Sequence, residues 1–305
     1  MVDAVLILGP TASGKTALGV RLAQTLNTEV ISIDSALIYR GMDIGTAKPT
    51  AEEMDGVPHH LIDIRDPFDT YNAADFVKDC YTKIEDIKAR GKLPLIVGGT
   101  MLYAKAIKEG LNEIPSTDLV VRAEIEARAA EVGWPAMHEE LAKVDPVTAA
   151  RLNPNDSQRI SRALEVFRQT GQPLSIYQAQ KVSQCPYQFL TLGLMPANRA
   201  LLHERIEKRF QLMLDAGFLD EVRTLMKSPD FVREAPAMRA VGYRQAIDYL
   251  LGECDKDRFF LSGVAATRQL AKRQLTWMRS MPDLISIDPF VEDAYAVALE
   301  AIRKA

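Results

Sequence analysis

The feature that most constrains this chain lies near its N-terminus. There the apolar run AVLIL, residues 4–8, leads into GPTASGKT and then into KTALGVRLAQTL. The octapeptide, Gly9, Pro10, Thr11, Ala12, Ser13, Gly14, Lys15 and Thr16, has the spacing G-x-x-x-x-G-K-T. Between a strand and a helix, such a loop turns successive backbone N–H groups inward around a phosphate, at the positive end of the helix. Lys15 adds a point charge for the phosphate oxygens, and the Thr16 hydroxyl suits a magnesium ion. Leu18, Leu22 and Leu26 then recur one helical turn apart, as in a helix packed on a sheet. The loop speaks for phosphate binding, and leaves open whether the phosphates belong to a nucleotide or to another diphosphate.

The same alternation continues. EVISI ends at Asp34, and LPLIV runs into Gly98, Gly99 and Thr100. Short apolar strands separated by helices predict a parallel sheet covered on both faces, with ligands at the carboxyl ends of its strands. The glycine loop, Asp34 and Thr100 all fall at such ends. QFLTLGLMP reads as a further strand. From STDLVVRAEIEARAAEVG to DSQRISRALEVFRQTG the pattern is helical, capped at Ser116 or Thr117 and at Asp156 or Ser157, with stops at Gly133 and Gly171. The last third is mostly helix. The expected class is α/β: a P-loop NTPase-like parallel-sheet core (1–115 and 186–305), an inserted helical subdomain (116–185) and a helical C-terminal region.

Composition bounds the setting. Hydrophobic residues make up 47% and charged residues 26% of the 305, as in a globular protein with a real core. No apolar run approaches the ~20 residues that span a bilayer. The N-terminal stretch carries Asp3 and no basic leader, so no secretion signal is expected. Cys80, Cys185 and Cys254 are far apart and lack metal-ligand spacing, which fits reduced thiols in the cytoplasm. The net charge of −4 argues weakly against nucleic acid, but its distribution matters more. TRQLAKRQLTWMR has four bases and no acids, and RAVGYR and SQRISR are two further acid-free basic clusters. On a helix Arg268, Lys272 and Arg279 fall within about 40° of one another. Together they suit a basic groove for a nucleic-acid backbone.

Individual residues carry several chemistries. Asp34, just past a strand end, suits a magnesium ligand, a general base or a turn cap. Thr100 suits a hydrogen bond to a ligand or a helix N-cap. Tyr39, Arg40 and Lys48 suit a role as donors for phosphate or RNA, or as the ordinary exposed residues of a loop. His59 and His60 are adjacent, with no third ligand at zinc spacing, and read as structural.

GPTASGKT, DSALIYRGMDIGTAKP, GGTMLY, RAVGYRQ and KRQLTWMR, in this order and at these distances, resemble the bacterial tRNA dimethylallyltransferases, or tRNA isopentenyltransferases, over almost the whole chain. The resemblance implies transfer of the dimethylallyl group of dimethylallyl diphosphate to N6 of the adenine 3′ of the anticodon. N6-isopentenyladenosine forms and diphosphate is released. The loop would then hold an isoprenoid diphosphate rather than ATP. Lys15, Asp34 and Thr100 would be catalytic, with Asp34 accepting the amino proton and Thr100 aligning the reactants. Mg2+ would be the cofactor, held at Thr16. The partners implied are the anticodon stem-loop of tRNA and dimethylallyl diphosphate, with no membrane, a monomeric chain and a cytoplasmic setting.

By the same resemblance, tRNA contacts fall at Asp34, Ser35, Ala36 and Leu37, at Thr100 and at Arg122. Further contacts fall at Gln158, Arg159, Ile160, Ser161 and Arg162, and at Arg239, Ala240, Val241, Gly242, Tyr243 and Arg244. The last group is Lys272, Arg273, Gln274, Leu275, Thr276, Trp277, Met278 and Arg279. Many relatives carry glutamine where Leu37 stands, which leaves Leu37 packing or backbone contact. The inserted helices are expected to close over the anticodon arm, and the adenine to be flipped outward. Two enzymatic alternatives, a small-molecule or nucleoside kinase and a prenyltransferase of free adenine nucleotides, need the loop but not the basic clusters. A nucleotide-switched RNA-binding protein would want an N-K-x-D motif, which is not found.

Overall fold

The computed structural model describes residues 2–180 and 185–305. Residues 181–184, within the expected insertion, lie outside the described residues. The chain begins β1 (Ala4–Leu8), α1 (Lys15–Thr25), β2 (Val30–Ile33), α2 (Ala51–Met54), β3 (His59–His60), α3 (Ala73–Ala89), β4 (Leu95–Gly98) and α4 (Met101–Glu109). Five helices follow: α5 (Leu119–Val132), α6 (Trp134–Val144), α7 (Pro146–Ala149), α8 (Ser157–Thr170) and α9 (Leu174–Ala179). It ends with β5 (Phe189–Leu194), α10 (Arg199–Asp215), α11 (Phe218–Met226), α12 (Tyr243–Leu250), α13 (Lys256–Arg279), β6 (Leu284–Ile287) and α14 (Ala294–Lys304). It divides into two compact units, Met1–Lys108 with Cys185–Ala305, and Glu109–Gln184.

The first unit carries the expected α/β core. Its six strands, in the order β3-β2-β4-β1-β5-β6, are all parallel. β1 is buried along its whole length because both faces are covered, which is why AVLIL is continuously apolar. Its side chains alternate between two cores. Leu6 and Leu8 pack with Ile31, Ile33, Phe76 and Tyr243 on one face. Val5 and Ile7 pack with Leu18 and Leu22 of α1 and Ala298 of α14 on the other. Leu26 closes α1 as its C-cap rather than continuing it.

β3 and β6 were not expected. β3 has two residues, too few for a periodic signal, and β6 follows directly on the last long helix. In the second unit, α5 and α8 pack through Ile125, Ile160 and Leu164 around a core of their own. The N-cap of α5 is Asp118, not Ser116 or Thr117; its carboxylate accepts from the N–H groups of Val120 and Val121. Asp156 caps α8 and Gly171 ends it in the left-handed region, while Gly133 both ends α5 and begins α6.

At the amino end of β2, buried Glu29 collects three side-chain partners. His60 Nε2 lies at 2.8 Å and Lys92 Nζ at 3.0 Å, and Arg90 binds both carboxylate oxygens. This contact gives His60 its structural role; the His59 ring nitrogen Nδ1 meets the Val57 carbonyl at 2.8 Å. The Arg90 hydrogen bond, against the pull of burial and with help from His60 and Lys92, holds the Glu29 carboxyl at about 2, below its ordinary 4.5. A depressed carboxyl stabilises the fold above pH 4.5 and ceases to do so as pH falls towards 2. Glu29→Gln is therefore expected to lose about 2 kcal/mol at pH 7 in urea unfolding, with the gap to wild type closing in acid.

Candidate active site

Sheet register sets the geometry of the site. Gly98 pairs with Leu8 in the β1·β4 ladder and with Ile33 in the β2·β4 ladder, so three strands end abreast. A Cβ on Gly98 would lie 2.3 Å from the Ile33 carbonyl oxygen, so only glycine permits this approach. Beyond it, the N–H groups of Gly99 and Thr100 both donate to that same oxygen at 3.2 Å. The glycine loop, Asp34 and Thr100 thus leave the sheet side by side.

Within the loop, Ala12 (φ 63°) and Gly14 (φ 89°) take left-handed conformations that turn the backbone around a central hollow. Arg205 Nε donates to the Ala12 carbonyl at 3.0 Å, tying α10 to the loop. A cavity of about 980 Å³ opens there, with Gly14, Lys15 and Thr16 on one side and Arg205, Lys208 and Arg209 of α10 on the other. Ile44, Pro49, Leu212 and Met213 add apolar wall. A second cavity of about 140 Å³ shares Lys15 and Arg209 and is lined by Asp34 and Gln274.

The electrostatics favour an anion. Burial and the neighbouring Arg209 guanidinium lower the Lys15 ammonium from 10.5 to about 8, with Asp34 pulling the other way. Burial also lowers Arg209, opposed by Asp34 and Glu53. An anion between the two cations would relieve both. Asp34 is held in a turn, with Oδ1 accepting from the Ala36 N–H at 2.9 Å. The Thr100 hydroxyl accepts from the Ser35 N–H at 2.9 Å and donates to the Ser35 hydroxyl at 3.2 Å. Thr100 also accepts through its carbonyl from Tyr103 and Ala104, and so begins α4.

The other residues singled out in the sequence separate into exposed and buried sets. Lys272, Arg273, Thr276, Trp277 and Arg279 are exposed on α13, as are Arg239 and Arg244 around the start of α12. Gln274, Leu275, Met278, Gly242 and Tyr243 are buried, while Ala240 and Val241 line the smaller cavity. The Tyr243 hydroxyl meets Glu221 Oε1 at 2.5 Å, and that carboxylate accepts from the N–H groups of Asp43, Ile44 and Gly45 at 2.9, 2.7 and 3.1 Å. Tyr243 and Glu221 thereby pin a strip of the cavity wall. Lys48 is turned inward on Asp43, Asp63 and the Tyr39 carbonyl, and Tyr39 is buried. Arg40 is exposed and donates to the Asp63 carbonyl. Leu37 lines a small hollow with Ser32 and Pro49, a packing position.

In the second unit, Gln158 and Arg159 are exposed while Ile160 and Ser161 face its core. Arg162 bonds Glu165 at 2.8 Å, and Arg122 stands 4.0 Å from the other oxygen of that fully buried carboxylate. Arg205, Lys208, Arg209 and Glu221 were not foreseen. The three bases share a helix face at i, i+3 and i+4, a legible signal, but Glu204 beside them and Glu207 among them make the stretch read as a mixed solvated surface.

A glycine loop and a basic helix closing on one cavity at the carboxyl ends of a parallel sheet define a phosphate-binding α/β protein. Residues 37–281 match the family model described as IPP transferase, and the chain belongs to that family. It is 54% identical over 304 residues to a tRNA dimethylallyltransferase of Bordetella pertussis, covering 99% of this chain and 97% of the relative. It is 55% identical over 302 residues to that of Paraburkholderia phymatum, covering 98% and 95%. The crystal structure of the Bacillus halodurans tRNA isopentenylpyrophosphate transferase is similar at a TM-score of 0.72 and 40% identity, covering 99% of this chain and 95% of that one. A eukaryotic dimethylallyltransferase crystallised acting on tRNA gives 0.79 at 28% identity, covering 98% and 77%.

Lys15 provides a test of the anion site. It loses its charge above about pH 8, so calorimetric affinity for inorganic diphosphate should carry a fall through that pH beyond the ligand's own titration. Lys15→Ala should weaken binding about a hundredfold at pH 7 and remove that step.

Proposed function

We infer that this chain is a prenyltransferase that moves the dimethylallyl group of dimethylallyl diphosphate to N6 of the adenine next to the anticodon on its 3′ side. The observation that carries this reading, in a member of this family, is one carboxylate beside an anion cradle. Asp34 lines the same cavity as Lys15 and Arg209, at the strand ends from which the glycine loop departs.

The chemistry follows from that arrangement. The adenine amino group is a weak nucleophile, so the reaction depends on the leaving group. As nitrogen bonds to C1 of the dimethylallyl group, the C1–O bond breaks and its electron pair departs with the diphosphate. The loop N–H groups, Lys15 and Arg209 stabilise that developing charge, with Arg205 and Lys208 on the facing wall. The attacking nitrogen becomes acidic, and its proton passes to Asp34. Asp34 Oδ1 is engaged by the Ala36 N–H, leaving Oδ2 as the acceptor. Thr100, locked to Ser35, aligns the reactants against that carboxylate.

Magnesium fits this site. Thr16 offers a hydroxyl at the cradle, and Mg2+ prefers few protein oxygens together with phosphate and water. When bound, it would add positive charge against the diphosphate. The exposed bases Arg239, Arg244, Lys272, Arg273 and Arg279 suit the phosphates of the anticodon stem-loop, with Gln158 and Arg159 as further contacts. Arg122 and Arg162 reach RNA only as members of their Glu165 cluster, while Ile160, Ser161, Tyr243, Leu275 and Met278 support by packing. The adenine is unstacked into the site. Among the described residues no helix is long and apolar enough to cross a membrane. Work on tRNA as a monomer in the cytoplasm accords with this reading.

A transfer assay with labelled dimethylallyl diphosphate, magnesium and unmodified tRNA tests the proposal. Wild type is expected to label tRNA, and Asp34→Ala to lower the rate by about a hundredfold or more while still binding tRNA. Equal labelling by both would remove Asp34 from the chemistry. ATP turnover without labelling would return the loop to the kinase reading.

A further inference from the structure

Gln274 lies on α13 between the exposed bases Lys272 and Arg273 and the exposed Thr276, yet the residue is only 7% exposed. Its amide makes two long-range bonds. Oε1 accepts from the Thr11 N–H at 3.0 Å, and Nε2 donates to the Gly99 carbonyl at 2.8 Å. One partner requires an acceptor and the other a donor, so the amide orientation is fixed by its surroundings. The first bond fixes a backbone N–H inside the phosphate loop. The second fixes the residue preceding Thr100.

The packing is equally specific. A Cβ on Gly99 would lie 2.4 Å from Gln274 Nε2 and 3.0 Å from the Gly9 carbonyl oxygen, so the loop, the strand end and the amide interlock. From Gly99 the connection continues to Thr100, Ser35 and the turn that holds Asp34. A glutamine that merely satisfied stray backbone groups would not need to join the two loops flanking the reaction centre.

We propose that Gln274 is a positioning residue: from the RNA-facing helix it clamps the diphosphate loop to the Gly99–Thr100 corner, and its side chain makes no RNA contact. The inference rests on the reading of that loop as the diphosphate site. Losing the amide leaves a part-buried N–H and a buried carbonyl unpaired and frees the loop from the strand end.

Full-length wild type and Gln274→Met, which keeps length and packing but removes both bonds, are compared in three measurements. These are calorimetric affinity for inorganic diphosphate, filter-binding affinity for unmodified tRNA, and steady-state transfer. Gln274→Met is expected to bind diphosphate about tenfold more weakly and to raise KM for dimethylallyl diphosphate in step, with tRNA affinity within about twofold of wild type. Should Gln274→Met not fold, Gly99→Ala tests the same link from the other side and is expected to give the same split. Unchanged diphosphate affinity, or a loss confined to tRNA binding, would overturn the clamp while leaving the site in place. Failure of wild type to bind diphosphate would instead remove the underlying reading, and the clamp with it.

Discussion

Everything at the site depends on how closely β4 approaches β2. Gly98 has no room for a side chain against the Ile33 carbonyl, and that oxygen then takes the N–H groups of both Gly99 and Thr100. This single acceptor brings the exits of two strands together, and the β1·β4 register places the glycine loop beside them. A phosphate cradle, a carboxylate and a hydroxyl, far apart in sequence, become neighbours without any loop having to find its own way. A larger residue at 98 would push the exits of β2 and β4 apart, and Asp34 with them away from Thr100.

The second determinant is charge. Burial lowers the proton affinity of both Lys15 and Arg209, and the Arg209 guanidinium lowers that of Lys15 further. Such a pair is costly in the free protein and favourable once an anion sits between its members. A carboxylate nearby moderates that cost, and Asp34 is the residue that does so for both cations. The same group therefore offsets the two buried cations and is the one proposed to accept a proton during transfer. The basic side chains of α13 face outward, whereas those of α10 line the cavity.

Much of this was legible in the sequence because the local signals agree with the fold. AVLIL, VISI and LIVG are buried on both faces and read as such, and the G-x-x-x-x-G-K-T spacing has only one sensible structural context. The illegible parts are those in which tertiary contact decides. Two-residue β3 has no periodicity to detect. Acids interleaved on α10 hid its basic face. Lys48 looked like a free donor and is consumed by Asp43 and Asp63. Tyr243, Leu275 and Met278 sit in basic segments but point into the core, since a helix that exposes charge on one face packs with the other. Gln274 was grouped with its charged neighbours, and only the fold reveals its two loop partners.

The central claim is that a loop usually associated with nucleotides here takes the leaving group of an isoprenoid. The most direct test follows tRNA modification and diphosphate release together in reactions containing dimethylallyl diphosphate and magnesium but no ATP. The expected result is modification without ATP and one diphosphate released for each adenine altered. A requirement for ATP, or release of phosphate from ATP in step with modification, would contradict it.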